Sequence, residues 1–81
     1  MTVITIRYFA AAKSALGVGQ QQREAGTSIA QVLADAASGV PGAEPVLARC
    51  SFLHNGQATT DRRIVLADGD TLDVLPPFAG G

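Results

Sequence analysis

The residues with the most chemistry to offer lie together at one end of the sequence, Leu75-Pro76-Pro77-Phe78-Ala79-Gly80-Gly81, and no charged side chain follows Asp73. Pro76 and Pro77 lack amide hydrogens, so a sheet cannot continue through them, and they hold the backbone extended and semi-rigid. From Pro76 to Gly81 such a segment reaches roughly 20 Å, at about 3.3–3.6 Å per residue. Ala79, Gly80 and Gly81 are small enough to thread a narrow channel, and glycine lets another molecule approach the backbone closely. The Gly81 carboxylate is therefore expected to be the reactive group. No β-carbon hinders attack on it, ATP can convert it to an acyl-adenylate, and the adenylate can accept sulfur to become a thiocarboxylate. Any side-chain nucleophile would come from another protein. The plainer alternative is an unstructured terminus that happens to finish in glycines; the prolines, the phenylalanine and the preceding strand count against it.

The rest of the chain supplies no catalytic set. Cys50 and His54 are its single cysteine and single histidine. That excludes an internal disulfide and a four-cysteine iron–sulfur cluster and argues against an ordinary structural zinc site, and no metal site is expected. His54 is not framed by a nucleophile motif, and Gly17-Val18-Gly19 is too short for a phosphate-binding loop. Cys50 reads as a small buried strand residue in preference to a persulfide site, and His54 as a surface or half-buried strand residue. Asp68-Gly69-Asp70 reads as turn chemistry. Arg62 and Arg63 fit a solvated loop as well as they fit contact with an acidic patch. A net charge of −1 with no basic run argues against nucleic acid. No apolar stretch reaches the ~20 residues of a membrane helix, and Met1-Thr2-Val3-Ile4 has no leader character. A cytoplasmic protein with a free thiol is the expectation.

Secondary elements must hold the 76–81 segment out for use. Residues 3–9, VITIRYF, read as a strand with Ile4, Ile6 and Tyr8 on a core face and Val3, Thr5, Arg7 and Phe9 on the other. A helical turn over 10–17 follows, stopped by Gly17, and 19–25 reads as an outer strand. Ser28 and Gln31 have capping-box spacing. Ile29, Val32, Leu33, Ala36 and Ala37 then fall on one helical face, with Gly39 and Pro41 as stop signals. Residues 40–49, with two prolines, read as a loop with room for a short helical turn. CSFLHNG at 50–56 reads as a strand entering an Asn55-Gly56 turn. Residues 57–66 read as irregular with a short strand near either end, 67–70 as a turn, and 71–75 as a last strand ended by Pro76.

Strands, one main helix and strands again predict an α+β fold with that helix on a mixed sheet, the β-grasp order. The predicted division is a domain over 1–75 and an extended tail over 76–81. Phe9, Leu75 and Phe78 would form an exposed apolar patch beside the tail, the mark of an interface, although a thin domain shows some apolar surface in any case.

The ending DGDTLDVLPPFAGG and the opening IRYFAAAKSALG resemble the small subunit of molybdopterin synthase, within the wider family that includes the thiamine sulfur carrier. The helix from Ser28 and the LHNG turn fit the same layout. The resemblance implies a ubiquitin-like β-grasp fold and a chain that carries sulfur without catalysing its transfer. An adenylyltransferase of the ubiquitin-activating type would adenylate Gly81 with ATP and magnesium, no cofactor being held by this chain, and a sulfur donor protein would make the thiocarboxylate. The tail would then enter the large catalytic subunit of a heterotetramer and give its sulfur to cyclic pyranopterin monophosphate. Gly81 and Gly80 carry over directly, with Ala79 threading beside them. Phe9, Leu75, Pro76, Pro77 and Phe78 are the implied partner contacts. A carrier for the thiazole of thiamine or for cysteine would share the mechanism. A ubiquitin-like modifier would instead form isopeptide bonds, and a non-covalent binding module would leave the tail idle.

Overall fold

The computed structural model describes residues 2–75, and Met1 and residues 76–81 lie outside that description. The elements are β1 (Val3–Tyr8), α1 (Ala11–Leu16), β2 (Gln20–Glu24), α2 (Ile29–Ala37), α3 (Ala43–Arg49), β3 (Ser51–His54), β4 (Gln57–Thr59) and β5 (Thr71–Leu75). The strands form one sheet in the order β2-β1-β5-β3-β4. Only the central β1–β5 pair is parallel; β1–β2, β3–β5 and β3–β4 are antiparallel. First and last strands side by side, with the helices between them in sequence, make the ubiquitin-like β-grasp.

Period-two alternation sends one face of each central strand inward. Ile4, Ile6 and Tyr8 from β1, Phe52 from β3, and Leu72 and Val74 from β5 are all buried. They join Ile29, Val32, Leu33 and Leu47 from the helices in one core. The Tyr8 hydroxyl donates to Gln21 Oε1 at 2.9 Å, so its polar end is satisfied.

Helix α2 starts where its sequence says. Ser28 Oγ accepts from the Gln31 amide at 3.2 Å, but Gln31 turns its side chain forward to Asp35 (Nε2 to Oδ1, 3.0 Å) and does not complete the capping box. The other early amides are met by the chain that follows β4. Ile29 N–H donates to Ile64 O and Ala30 N–H to Arg62 O, each at 2.9 Å. Those carbonyls serve the helix, so the expected strand near 64–66 shrinks to one bridge, Ser28 to Val65.

Three further boundaries differ from expectation. The stretch 40–49 holds a real helix, α3, because Pro45 is its third residue, in the first turn where no amide donor is required. Cys50 caps α3 and is not a strand residue; it is buried, and its thiol donates to Val46 O at 3.2 Å. Strand β1 ends at Tyr8, one residue before Phe9, because Ala10 takes φ 48° and turns the chain into α1.

Candidate functional site

Strands β1 and β5 run in the same direction and finish together, with Tyr8 opposite Val74 and the Phe9 amide donating to Val74 O at 3.1 Å. Phe9 therefore sits beside the point where the chain leaves β5 at Leu75. Phe9 is 40% exposed and Leu75 is half-buried. Leu75 also pairs with Ser51 of β3. The backbone register thus puts these two members of the expected patch at the same end of the sheet. Pro76, Pro77, Phe78, Ala79, Gly80 and Gly81, the other expected site residues, lie outside the described residues.

The sequence reading missed the ion pair that braces this end of the sheet. Arg7 and Asp73 are register partners on β1 and β5. Arg7 Nε lies 2.6 Å from Asp73 Oδ1 and Nη2 lies 2.7 Å from Oδ2, a bidentate fork on a carboxylate that is almost wholly covered. The Arg7 guanidinium also lies 5.9 Å from the centre of the Phe9 ring. A charged residue on the outer face of each of two strands was the available signal, but nothing local links positions so far apart in sequence.

The opposite end of β5 is held by a polar clasp. Asp70 accepts from Asn55 Nδ2 at 3.0 Å, from His54 Nε2 at 2.8 Å and from the Ala67 amide at 2.9 Å. Those hydrogen bonds bring its pKa down to about 2. Asn55 also exchanges two bonds with the backbone of Thr71, at 2.8 and 2.9 Å. Asp68 accepts from the Val3 amide at 2.9 Å. Both aspartates therefore do turn chemistry, as their spacing suggests.

The remaining reactive side chains are absorbed by the fold. Burial pushes the Cys50 thiol up, away from the thiolate a nucleophile needs. Arg62 lies 4.6 Å from the centre of the Phe52 ring and donates to the carbonyls of Leu47 and Ala48 at the end of α3. Arg63 pairs with Asp61 at 3.1 Å. Among the described residues no group of three acidic, cysteine or histidine side chains could hold a metal ion. No described helix is long and apolar enough to cross a membrane.

The site is thus a strand end with apolar neighbours, leading into the 76–81 segment. The model of the ThiS family matches residues 6–81, which takes in the end of β1, all of β5 and the glycines at 80 and 81. This chain belongs to the ThiS family. That places it among carriers of the ThiS type.

Solved structures agree on the fold. A Pyrococcus furiosus protein described as molybdopterin converting factor subunit 1 superposes with a TM-score of 0.81 at 19% identity, covering 96% of this chain and all of its own. The small archaeal modifier protein 1 of Haloferax volcanii gives a TM-score of 0.77 at 19% identity, covering 96% of this chain and 100% of that one. A chain from the complex of subunits 1 and 2 of the molybdopterin-converting factor of Helicobacter pylori gives 0.71 at 23% identity, covering 98% and 99%. No curated protein sequence matches the chain.

Proposed function

We propose that this ThiS-family chain is the sulfur-carrying small subunit of a molybdopterin synthase. An activating enzyme uses ATP and magnesium to adenylate the Gly81 carboxylate, releasing pyrophosphate. A sulfur donor displaces AMP and leaves a thiocarboxylate. The large catalytic subunit then receives the tail, in a heterotetramer of two small and two large subunits, and sulfur passes to cyclic pyranopterin monophosphate. The chain contributes the acyl group and the docking surface, and its partners contribute the catalytic side chains. The observation that carries this reading is the family match running through Gly80 and Gly81 on a fold whose last strand feeds directly into that segment. The PPFAGG ending favours the molybdopterin branch, and two of the structural relatives are named for that pathway.

Intact-mass analysis after incubation with the activating enzyme, ATP, magnesium and a sulfur source tests it. One oxygen replaced by sulfur at Gly81 is the expected product, and addition of the large subunit with the pterin substrate should return the mass to its starting value. A loaded carrier that keeps its sulfur in that mixture, yet discharges it in a thiazole-forming system, would move the assignment to another branch. The second reading, a protein modifier, draws on the resemblance to proteins named as small archaeal modifiers. It calls for isopeptide-linked conjugates of Gly81 on other proteins.

A further inference from the structure

Asn55 is the chain's single asparagine, and a glycine follows it. That pairing has chemistry of its own. The backbone nitrogen after an asparagine can attack the side-chain amide carbon and close a five-membered imide, and glycine, with no side chain, obstructs the attack least. Both residues are exposed, so water and base can reach them. Yet the Asn55 amide is tied at both of its polar atoms. Nδ2 donates to Asp70 Oδ1 at 3.0 Å, and Oδ1 accepts from the Thr71 amide at 2.8 Å. The backbone is tied as well. Asn55 N–H donates to Thr71 O at 2.9 Å, and the turn holds φ at 51° for Asn55 and 84° for Gly56. The imide would contain Asn55 Cα, Cβ, Cγ and carbonyl carbon together with the Gly56 nitrogen. Closing it therefore constrains the bond between Asn55 Cα and its carbonyl, a torsion that a two-residue hairpin turn already fixes. The nitrogen that must depart is also the one that Asp70 holds.

We propose that Asn55 is a deamidation site that its clasp with Asp70 and Thr71 keeps shut, and that its conversion opens the clasp for good. In the first step Gly56 N–H gives its proton to a solvent base and the nitrogen attacks Asn55 Cγ. The N–Cγ bond forms, the Cγ–Nδ2 bond breaks, and ammonia leaves with the electron pair and a proton taken from solvent. In the second step water adds to one imide carbonyl and one C–N bond of the ring breaks. Opening at Cγ gives aspartate, and opening at the backbone carbonyl gives isoaspartate. Aspartate sets a carboxylate where an amide donated to Asp70, so two negative groups face each other over the 3.0 Å that a hydrogen bond now spans. Isoaspartate puts an extra carbon into the backbone of the turn that sets the pairing of β3 with β4. Either product weakens the hold of that hairpin on Thr71, the first residue of β5.

The test ages the full chain in mildly alkaline buffer, folded and in guanidinium chloride, and follows intact mass, ammonia release and peptide maps. The maps assign the site, because Asp68-Gly69 can form isoaspartate through the same kind of ring with no change of mass. In the unfolded chain Asn55 should convert to aspartate and isoaspartate. In the folded chain conversion should be slower by about tenfold or more, as for a group reached only through local opening. Asp70→Ala, aged at a temperature where circular dichroism shows it folded, should lose much of that protection. Asn55→Asp, which carries the aspartate product, should melt below the parent at neutral pH. Conversion as fast in the folded parent as in the unfolded one would overturn the inference. So would an unfolded chain with no conversion at Asn55, a folded Asp70→Ala with the parent's rate, or an Asn55→Asp chain as stable as the parent. The comparison of folded with unfolded parent needs no variant, so it decides even where Asp70→Ala fails to fold.

Discussion

Asp70 carries more structural duty than any other single side chain outside the core. Its three donors come from two different turns, and its backbone oxygen also accepts from Thr5 at 3.0 Å. With the folded carboxyl near 2 against an ordinary 3.8, the folded chain binds this proton more weakly than the unfolded one. Acid therefore favours unfolding: the contribution of Asp70 is complete above about pH 4 and is lost as pH falls through about 2. Asp61 is lowered as well, through its bonds with Arg63, and titrates in the same direction. The difference between the parent and Asp70→Asn isolates the clasp. Melting temperatures taken down the acid range should diverge above pH 4 and converge toward the acid end, and parallel curves would contradict this account. Phe9 makes the complementary case, a side chain the core does not need. Phe9→Asp should leave the melting temperature nearly unchanged, because the ring is already 40% exposed. It should weaken capture by the partner subunit by about tenfold or more in pull-down or calorimetry, since it sets a charge into an interface that must desolvate it.

At the scale of elements, legibility followed how local the causes were. Helix α2 could be read because its cap, its apolar face and its stop lie within one short stretch, Ser28 to Gly39. The Asn55-Gly56 turn announced itself in the same way, and its φ values of 51° and 84° are those its sequence favours. Helix α3 was harder, because Pro45 argues against a helix unless one knows that it falls in the first turn. The bend at Ala10 carries no sequence signal at all, since alanine is not a residue that advertises positive φ. The chain between β4 and β5 escaped for a different reason. Its carbonyls are used by the first turn of α2, a long-range arrangement that replaces the ladder its β-branched residues suggest. At the site, Phe9 and Leu75 were found by alternation, which assigned both to the outer face. Arg7 and Asp73 were not, because pairing them requires knowing that the first and last strands are parallel neighbours. The reading of Gly80 and Gly81 as the reactive end comes from residue type alone, and both lie outside the described residues.

For the whole molecule, stability and function should then be separable. The core is drawn from both ends and the middle of the 2–75 span, from Ile4 through Phe52 to Val74, and a domain of this size has a total stability of roughly 4–12 kcal/mol. Phe52→Ala would cost about 3–5 kcal/mol, since Phe52 is 2% exposed and its ring supports both the core and the Arg62 side chain. That is a large share of the total, and a clear drop in denaturation midpoint should follow, while whatever fraction stays folded still accepts sulfur at Gly81. Removing Gly80 and Gly81 should do the reverse. No core residue among the described ones is removed, so the denaturation midpoint should match the parent, yet adenylation and sulfur loading should both be lost. The two variants measured together, by chemical denaturation and by intact mass, decide whether the β-grasp body serves as a holder for its tail. A truncated chain that unfolds early would mean that the tail contributes to the body's own packing, and the partner would then have to peel it away before using it.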